Sequence, residues 1–283
     1  MAKIIVEKLK YKYPATEHLA LDGISFSVEA GEFIGIIGKN ESGKSTLCQA
    51  IAGLVPNFYK GAYGGKVLID DLEVKNEELS ELCKKVGTVF QNPFNQVTGS
   101  KMTVSEEIAF GLENLGVPRD EMVRRIEDAM ELLDIWKYRD RNPFDLSGGQ
   151  MQRMAIAGII AMQPEIIVLD EPTSQLDPQG REEVYQAVQK LSRKGITIFM
   201  VDHNMEKIAS YSDRVLLLDG GHQIAMDTPQ RIFSRDDLDS FGIESPAFTK
   251  IFRGLRIRNT ETDCYPVTLE EARVLLHRAR GEM

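Results

Sequence analysis

Three cysteines in 283 residues, Cys48, Cys83 and Cys264, are odd in number, far apart and never in a C-x-x-C pair. They can build neither a disulfide framework nor a zinc knuckle, so reduced structural thiols are expected. Long apolar stretches are missing as well. The longest runs from Met154 to Met162, far short of the roughly 20 residues that cross a bilayer as a helix. The first residues, Met1 to Lys8, break their short apolar run with charge on both sides, which is no secretory leader core, and a cytoplasmic location is the expectation. Positive charge is scarce: 34 Lys and Arg face 43 Asp and Glu, for a formal net charge of −9. That balance argues against indiscriminate nucleic-acid binding through a large basic surface. A small anionic ligand stays possible, because a phosphate site needs only a local set of donors. With 42% hydrophobic and 27% charged residues the chain is an ordinary globular one, long enough for one large domain or two modest ones.

Along the chain, Lys3 to Val6, Ile24 to Val28 and Phe33 to Ile37 read as strands, separated by Pro14, Gly23 and Gly31. A glycine-rich turn from Gly38 to Gly43 then leads into a helical stretch, Lys44 to Ile51. Met122, Ile126, Met130 and Leu133 recur at helical spacing. The second half alternates as a parallel sheet requires, with strands at Ile166 to Leu169, Ile196 to Val201 and Val215 to Leu218 and a helix at Arg181 to Leu191. After Pro229 the alternation stops. Two helical pieces, Phe248 to Phe252 and Leu269 to Arg280, follow Ser245-Pro246 and Tyr265-Pro266. No internal repeat or low-complexity tract is present.

Gly38-Lys39-Asn40-Glu41-Ser42-Gly43-Lys44-Ser45 fits G-x-x-x-x-G-K-[ST] between a strand and a helix. In such a loop successive N–H groups converge on phosphate oxygens, Lys44 reaches the outer phosphates, and the Ser45 hydroxyl is a magnesium ligand. Ile166 to Asp170 and Glu171 form an apolar strand that delivers two adjacent carboxylates at its carboxyl end, the edge where open α/β sheets bind ligands. Asp170 is suited to holding magnesium, and Glu171 to polarising an attacking water. Between these elements stands Leu146-Ser147-Gly148-Gly149-Gln150.

Phosphate loop, Leu-Ser-Gly-Gly-Gln and acidic strand end, in that order, closely resemble the nucleotide-binding subunit of an ATP-binding cassette transporter over about residues 1 to 235. The resemblance implies an α/β P-loop NTPase cassette. Its expected parts are a RecA-like parallel sheet core, an antiparallel β subdomain, an α-helical signature subdomain at about 92–162, and a small extension, 236–283, for dimerisation. It implies that ATP with Mg2+ is bound by Tyr13, Gly38, Asn40, Ser42, Gly43, Lys44, Ser45 and Thr46, with Tyr13 stacking on adenine, while Tyr11 fits an ordinary strand tyrosine. Ser147, Gly148, Gly149 and Gln150, with Asp177 coupling the sites, would serve nucleotide on a second ATPase subunit, identical or not. Gln91 is implied as a magnesium-touching catalytic residue beside Asp170 and Ser45, and His203 as a switch beside catalytic Glu171.

Val89 to Pro93, Ile108 to Gly116, Ala155 to Met162 and the tail from Tyr265 to Ala272 look like the ATPase of energy-coupling-factor importers, including the cobalt and nickel type. Such a resemblance implies a peripheral subunit on the cytoplasmic face of the cell membrane, with a transmembrane coupling subunit and a membrane protein that captures a vitamin or metal ion. Another transporter cassette would share the chemistry without the tail. A cassette acting on DNA or ribosomes usually adds a coiled coil, a second cassette or a basic surface, none of which is present. Two residues depart from the family pattern: Glu41 replaces a usual glycine and is expected to face outward, and Gln175 replaces a usual Ala or Gly. Phe94, in Asn92-Pro93-Phe94-Asn95-Gln96, is either an anchor for the membrane partner or part of the helical subdomain's interior.

Overall fold

Strands that alternate apolar and polar side chains keep one wet face, whereas wholly apolar strands must be covered on both. The computed structural model describes residues 2–279 and sorts its strands in this way. In chain order they are β1 (Ala2–Lys12), β2 (Leu21–Glu29), β3 (Phe33–Ile37), β4 (Ala62–Ile69), β5 (Leu72–Glu73), β6 (Val86–Val89), β7 (Ile166–Asp170), β8 (Thr197–Val201), β9 (Arg214–Asp219) and β10 (His222–Asp227). The half-buried strands form an antiparallel sheet in the order β2-β1-β4-β5. The other sheet runs β10-β9-β3-β8-β7-β6 and is parallel except for the edge pair β9 and β10.

Side chains of one central strand enter two different cores. Ile34 and Ile36 of β3, with Ile166 and Val168 of β7, pack toward the antiparallel sheet and the helix Lys44–Ile51. Phe33, Ile37, Ile167 and Leu169 pack instead with the helical layer, which includes Val104–Asn114, Arg119–Leu132, Gly148–Ala161 and Pro178–Arg193. The expected P-loop cassette architecture is therefore present. The helix expected at Met122 to Leu133 starts earlier, after Pro118, with Asp120 and Glu121 in its first turn, where acidic residues favour the helix dipole.

The carboxyl-terminal segment carries helices Ala247–Leu255 and Leu269–Ala279. The Arg280 end expected for the second lies outside the described residues. Phe252, Tyr265, Ala272 and Leu275 form a small cluster of their own, while Leu238, Ile243 and Val267 join the main helical core. Cys48 and Cys264 are buried free thiols and Cys83 is an exposed one.

Candidate nucleotide site

β3 ends at Ile37, and the phosphate loop begins with two backbone positions that a side chain would block. At Gly38 (φ 156°) a Cβ would overlap the Leu218 carbonyl and the Ser42 hydroxyl, and at Gly43 (φ 101°) it would lie 2.6 Å from the Ala20 carbonyl oxygen. Gly43 caps the helix Lys44–Ile51 without a side-chain bond, and no acidic residue stands in the first turn. The N–H groups and dipole of that helix end are left for an anion. Asn40 and Glu41 are exposed, as expected for Glu41, which adopts φ 64°. Glu41 thus takes at a cost the conformation that glycine takes freely.

Lys44 is buried, and its Nζ donates to the carbonyls of Gly38 at 2.9 Å and Lys39 at 2.8 Å. Burial pulls its pKa below the usual lysine range, while the charges of Glu171 and Asp170 oppose the fall. The Ser45 hydroxyl donates to Asp170 Oδ1 at 3.2 Å. Burial pushes the Asp170 carboxyl up, against the pull of the Ser45 bond. Next to it, Glu171 turns out of the strand line with φ 50° while its N–H bonds the Val201 carbonyl at 3.0 Å. Its carboxylate accepts from Gln91 Nε2 at 2.9 Å and lies 3.0 Å from His203 Nε2. Gln91, Glu171 and His203 leave three neighbouring parallel strands at the same sheet edge, with Lys44, Ser45 and Asp170 beside them.

The remaining expected residues lie around this centre. Tyr13 is half-buried, and its hydroxyl reaches Gln49 Oε1 at 2.8 Å and Thr46 Oγ1 at 3.2 Å, so it is tied to the phosphate-loop helix. Tyr11 is fully buried, with its ring edge-on to Tyr13. Ser147 and Gly148 are exposed at the start of the helix Gly148–Ala161. Ser147 and Gln150 cap that helix reciprocally, and Gln150 Nε2 also donates to the Tyr138 hydroxyl at 3.1 Å. A Cβ on Gly149 would lie 2.8 Å from Gly180 Cα. Asp177 caps the helix Pro178–Arg193 by accepting from the Gly180 N–H at 2.9 Å. Gly149 thus packs on the start of this second helix and Gly148 on Leu176 just before it, while Ser147 bonds Gln150 of its own helix.

The Asn92 and Gln96 amides around Phe94 are spent on the loop itself. Asn92 accepts from the Phe94 N–H, and Gln96 accepts from Phe90 N–H and donates to the Thr88 carbonyl, so both staple the loop itself. Phe94 is 54% exposed and is not core. Thr173 and Asp202, which had no assigned role, form a buried bond beneath Glu171 and His203 at 2.8 Å. Their residue types carried no signal beyond adjacency to the expected catalytic positions.

The model of the family described as ABC transporter matches residues 21–174. A putative ABC transporter ATP-binding protein of Pyrococcus abyssi is 44% identical over 90% of this chain and 91% of its own length. An energy-coupling factor transporter ATP-binding protein of Streptococcus sanguinis is 41% identical over 89% of each chain. Among solved structures, cbiO1 of Clostridium perfringens, described as part of the ABC transporter complex cbiONQ, aligns with TM-score 0.74 and 32% identity over 84% of this chain and 92% of that one. A dimeric ATP-binding cassette in a post-hydrolysis state with ADP and Pi aligns at TM-score 0.67 and 28% identity, over 80% and 98%.

Proposed function

The chain belongs to the ABC transporter ATP-binding proteins and is an ATPase, and from that premise we propose that it uses Glu171 to hydrolyse Mg-ATP and so powers an importer of the energy-coupling-factor type. The observation that carries this reading is the convergence of Gln91, His203 and Glu171, beside Asp170 bonded to Ser45, at the mouth of the phosphate loop.

The donor set fits magnesium. Ser45 and Asp170 offer a hydroxyl and a carboxylate oxygen 3.2 Å apart, and among the described residues no group of three or more His, Cys, Asp or Glu could hold a metal alone. Magnesium is commonly held by one or two protein oxygens, with water and substrate phosphates completing the shell. When bound it neutralises charge on the phosphate oxygens. The chain's own residues do the rest. Lys44 exchanges its loop carbonyls for phosphate oxygens, and the loop N–H groups orient the triphosphate. Gln91, now bonded to one Glu171 oxygen, would help hold the ion, and His203, at the other, would bond the γ-phosphate, each freeing the carboxylate. The freed Glu171 carboxylate takes the proton of the attacking water as the water oxygen bonds the γ-phosphorus. The bond from γ-phosphorus to the β–γ bridging oxygen breaks, and ADP and phosphate leave.

The cassette spans residues 1–235, and 236–283 is a dimerising extension. Exposed Ile251, Leu255 and Leu269 on its two helices support that role. The chain pairs with a second ATPase subunit, identical or related, whose nucleotide receives Ser147, Gly148, Gly149 and Gln150 from this one. Exposed Phe94, Met102 and Phe110 of the helical layer support docking to a transmembrane coupling subunit. A small membrane protein that captures a vitamin or transition-metal ion completes the complex. No helix among the described residues is long and apolar enough to cross a membrane, in keeping with a peripheral subunit at the cytoplasmic face. The test is Glu171→Gln: ATP binding is retained, and hydrolysis falls by about 10²-fold or more, the usual cost of losing a positioned base. Hydrolysis at the parental rate would overturn the assignment.

A further inference from the structure

β7 and β8 are adjacent and parallel and end together at Asp170 and Val201, so the segments that leave them run side by side. Asp202 lies in one and Thr173 in the other, and both are buried, at 6% and 3% exposure. The Asp202 carboxylate accepts from the Asn204 N–H at Oδ1 and from the Thr173 hydroxyl at Oδ2, each at 2.8 Å. Thr173 Oγ1 also lies 3.2 Å from the hydroxyl of Tyr185, on the helix that follows Asp177. Lys207 covers the Tyr185 ring at 5.1 Å but spends its ammonium on Glu182. The partners of Asp202 are thus neutral, the hydroxyls of Thr173 and Tyr185 and an amide, a costly way to bury a carboxylate unless it fixes geometry. Glu171 needs such fixing. Its φ of 50° is a strained conformation, and strained turns persist only where their surroundings over-determine them.

We propose that Asp202 and Thr173 are positioning residues for ATP hydrolysis, locking the Glu171 turn and the His203 turn into one rigid unit that presents carboxylate and imidazole together. The assignment rests on the reading of Glu171 as the base. Neither side chain touches nucleotide in this scheme. Both act through the two turns they join.

Four variants test it in the assembly in which the parental chain hydrolyses ATP. Thr173→Val removes the hydroxyl at nearly constant volume, and Asp202→Ala removes the accepted bonds. Thr173→Ser keeps the hydroxyl. Asp202→Asn keeps an acceptor for the Asn204 N–H and offers an amide hydrogen to Thr173 Oγ1. Since a misplacement of about 1 Å can cost on the order of 10²-fold, kcat is expected to fall at least about tenfold in Thr173→Val and Asp202→Ala. Binding of a non-hydrolysable ATP analogue stays within about threefold of parental, as does kcat in Thr173→Ser and Asp202→Asn, because only the transition state uses the alignment. In a Glu171→Gln background Thr173→Val adds little further loss in single-turnover hydrolysis, whereas a general structural defect would add in full. The proposal is overturned if the folded variants keep kcat within about twofold, if analogue binding falls in step with kcat, or if the losses are fully additive. Should one of the two disruptive variants fail to fold, the other decides. A parental rate in Glu171→Gln would sink the underlying reading, whereas an inactive Glu171→Gln beside a fully active Thr173→Val sinks only this one.

Discussion

Asp170 shows how a nucleotide site trades stability for readiness. Its carboxyl is held above the ordinary carboxylate value of 3.8 by burial, so the folded chain binds this proton more tightly than the unfolded one. For such a group the penalty is absent below the unfolded value, grows as pH rises through it, and is complete above the raised native value. Asp170→Asn should therefore melt at a higher temperature than the parent at pH 7 when neither nucleotide nor divalent cation is added, and the advantage should shrink as the pH is lowered toward about 4. Thermal melts of both proteins across that range check the sign. A difference that grows toward acid would refute it. Glu41 belongs to the same scale: its exposed carboxylate and left-handed backbone follow from a glycine-rich loop geometry imposed on a residue with a Cβ.

Elements meet here through glycines as much as through apolar side chains. Gly149 and Gly180 let the starts of the helices Gly148–Ala161 and Pro178–Arg193 touch. Gly87 lets β6 pass under the helix Gly148–Ala161, since a Cβ there would overlap Ile159 Cγ2. Gly87→Ala is expected to destabilise by about 1 to 3 kcal/mol through overpacking, lowering the melting temperature by several degrees. Adding Ile159→Ala removes the colliding methyl, so the double variant should be more stable than the sum of the two single losses allows. Strict additivity in calorimetry would show that the two elements do not meet there. Gln152 Nε2 on the same helix approaches the Phe90 carbonyl at 3.5 Å, which ties this helix to the loop that carries Gln91.

At the scale of the whole molecule, Ser147 stands exposed at the start of the helix Gly148–Ala161, where the proposed pair would use it on the nucleotide of the second subunit. Mixing Ser147→Arg with Lys44→Ala chains leaves each mixed dimer one doubly defective site and one intact site. ATPase activity above that of either variant alone is expected, and no recovery in verified mixed dimers would count against the composite, single-site scheme. Much of the fold was legible beforehand because some strands state themselves locally: Phe33–Ile37, Ile166–Leu169 and Ile198–Val201 are contiguous apolar runs that any fold must bury on both faces. β4 was not legible, since Ala62–Ile69 carries two adjacent glycines followed by a lysine, and pairing with β1 decided its state. The phosphate loop was determined by sequence alone, because its glycines, lysine and serine are neighbours whose geometry is local. The meeting of Gln91, Glu171 and His203, and the Thr173 bond to Asp202, were decided only by the tertiary structure. Each joins residues far apart in the chain, and only the order and register of the parallel strands bring those segments to one edge.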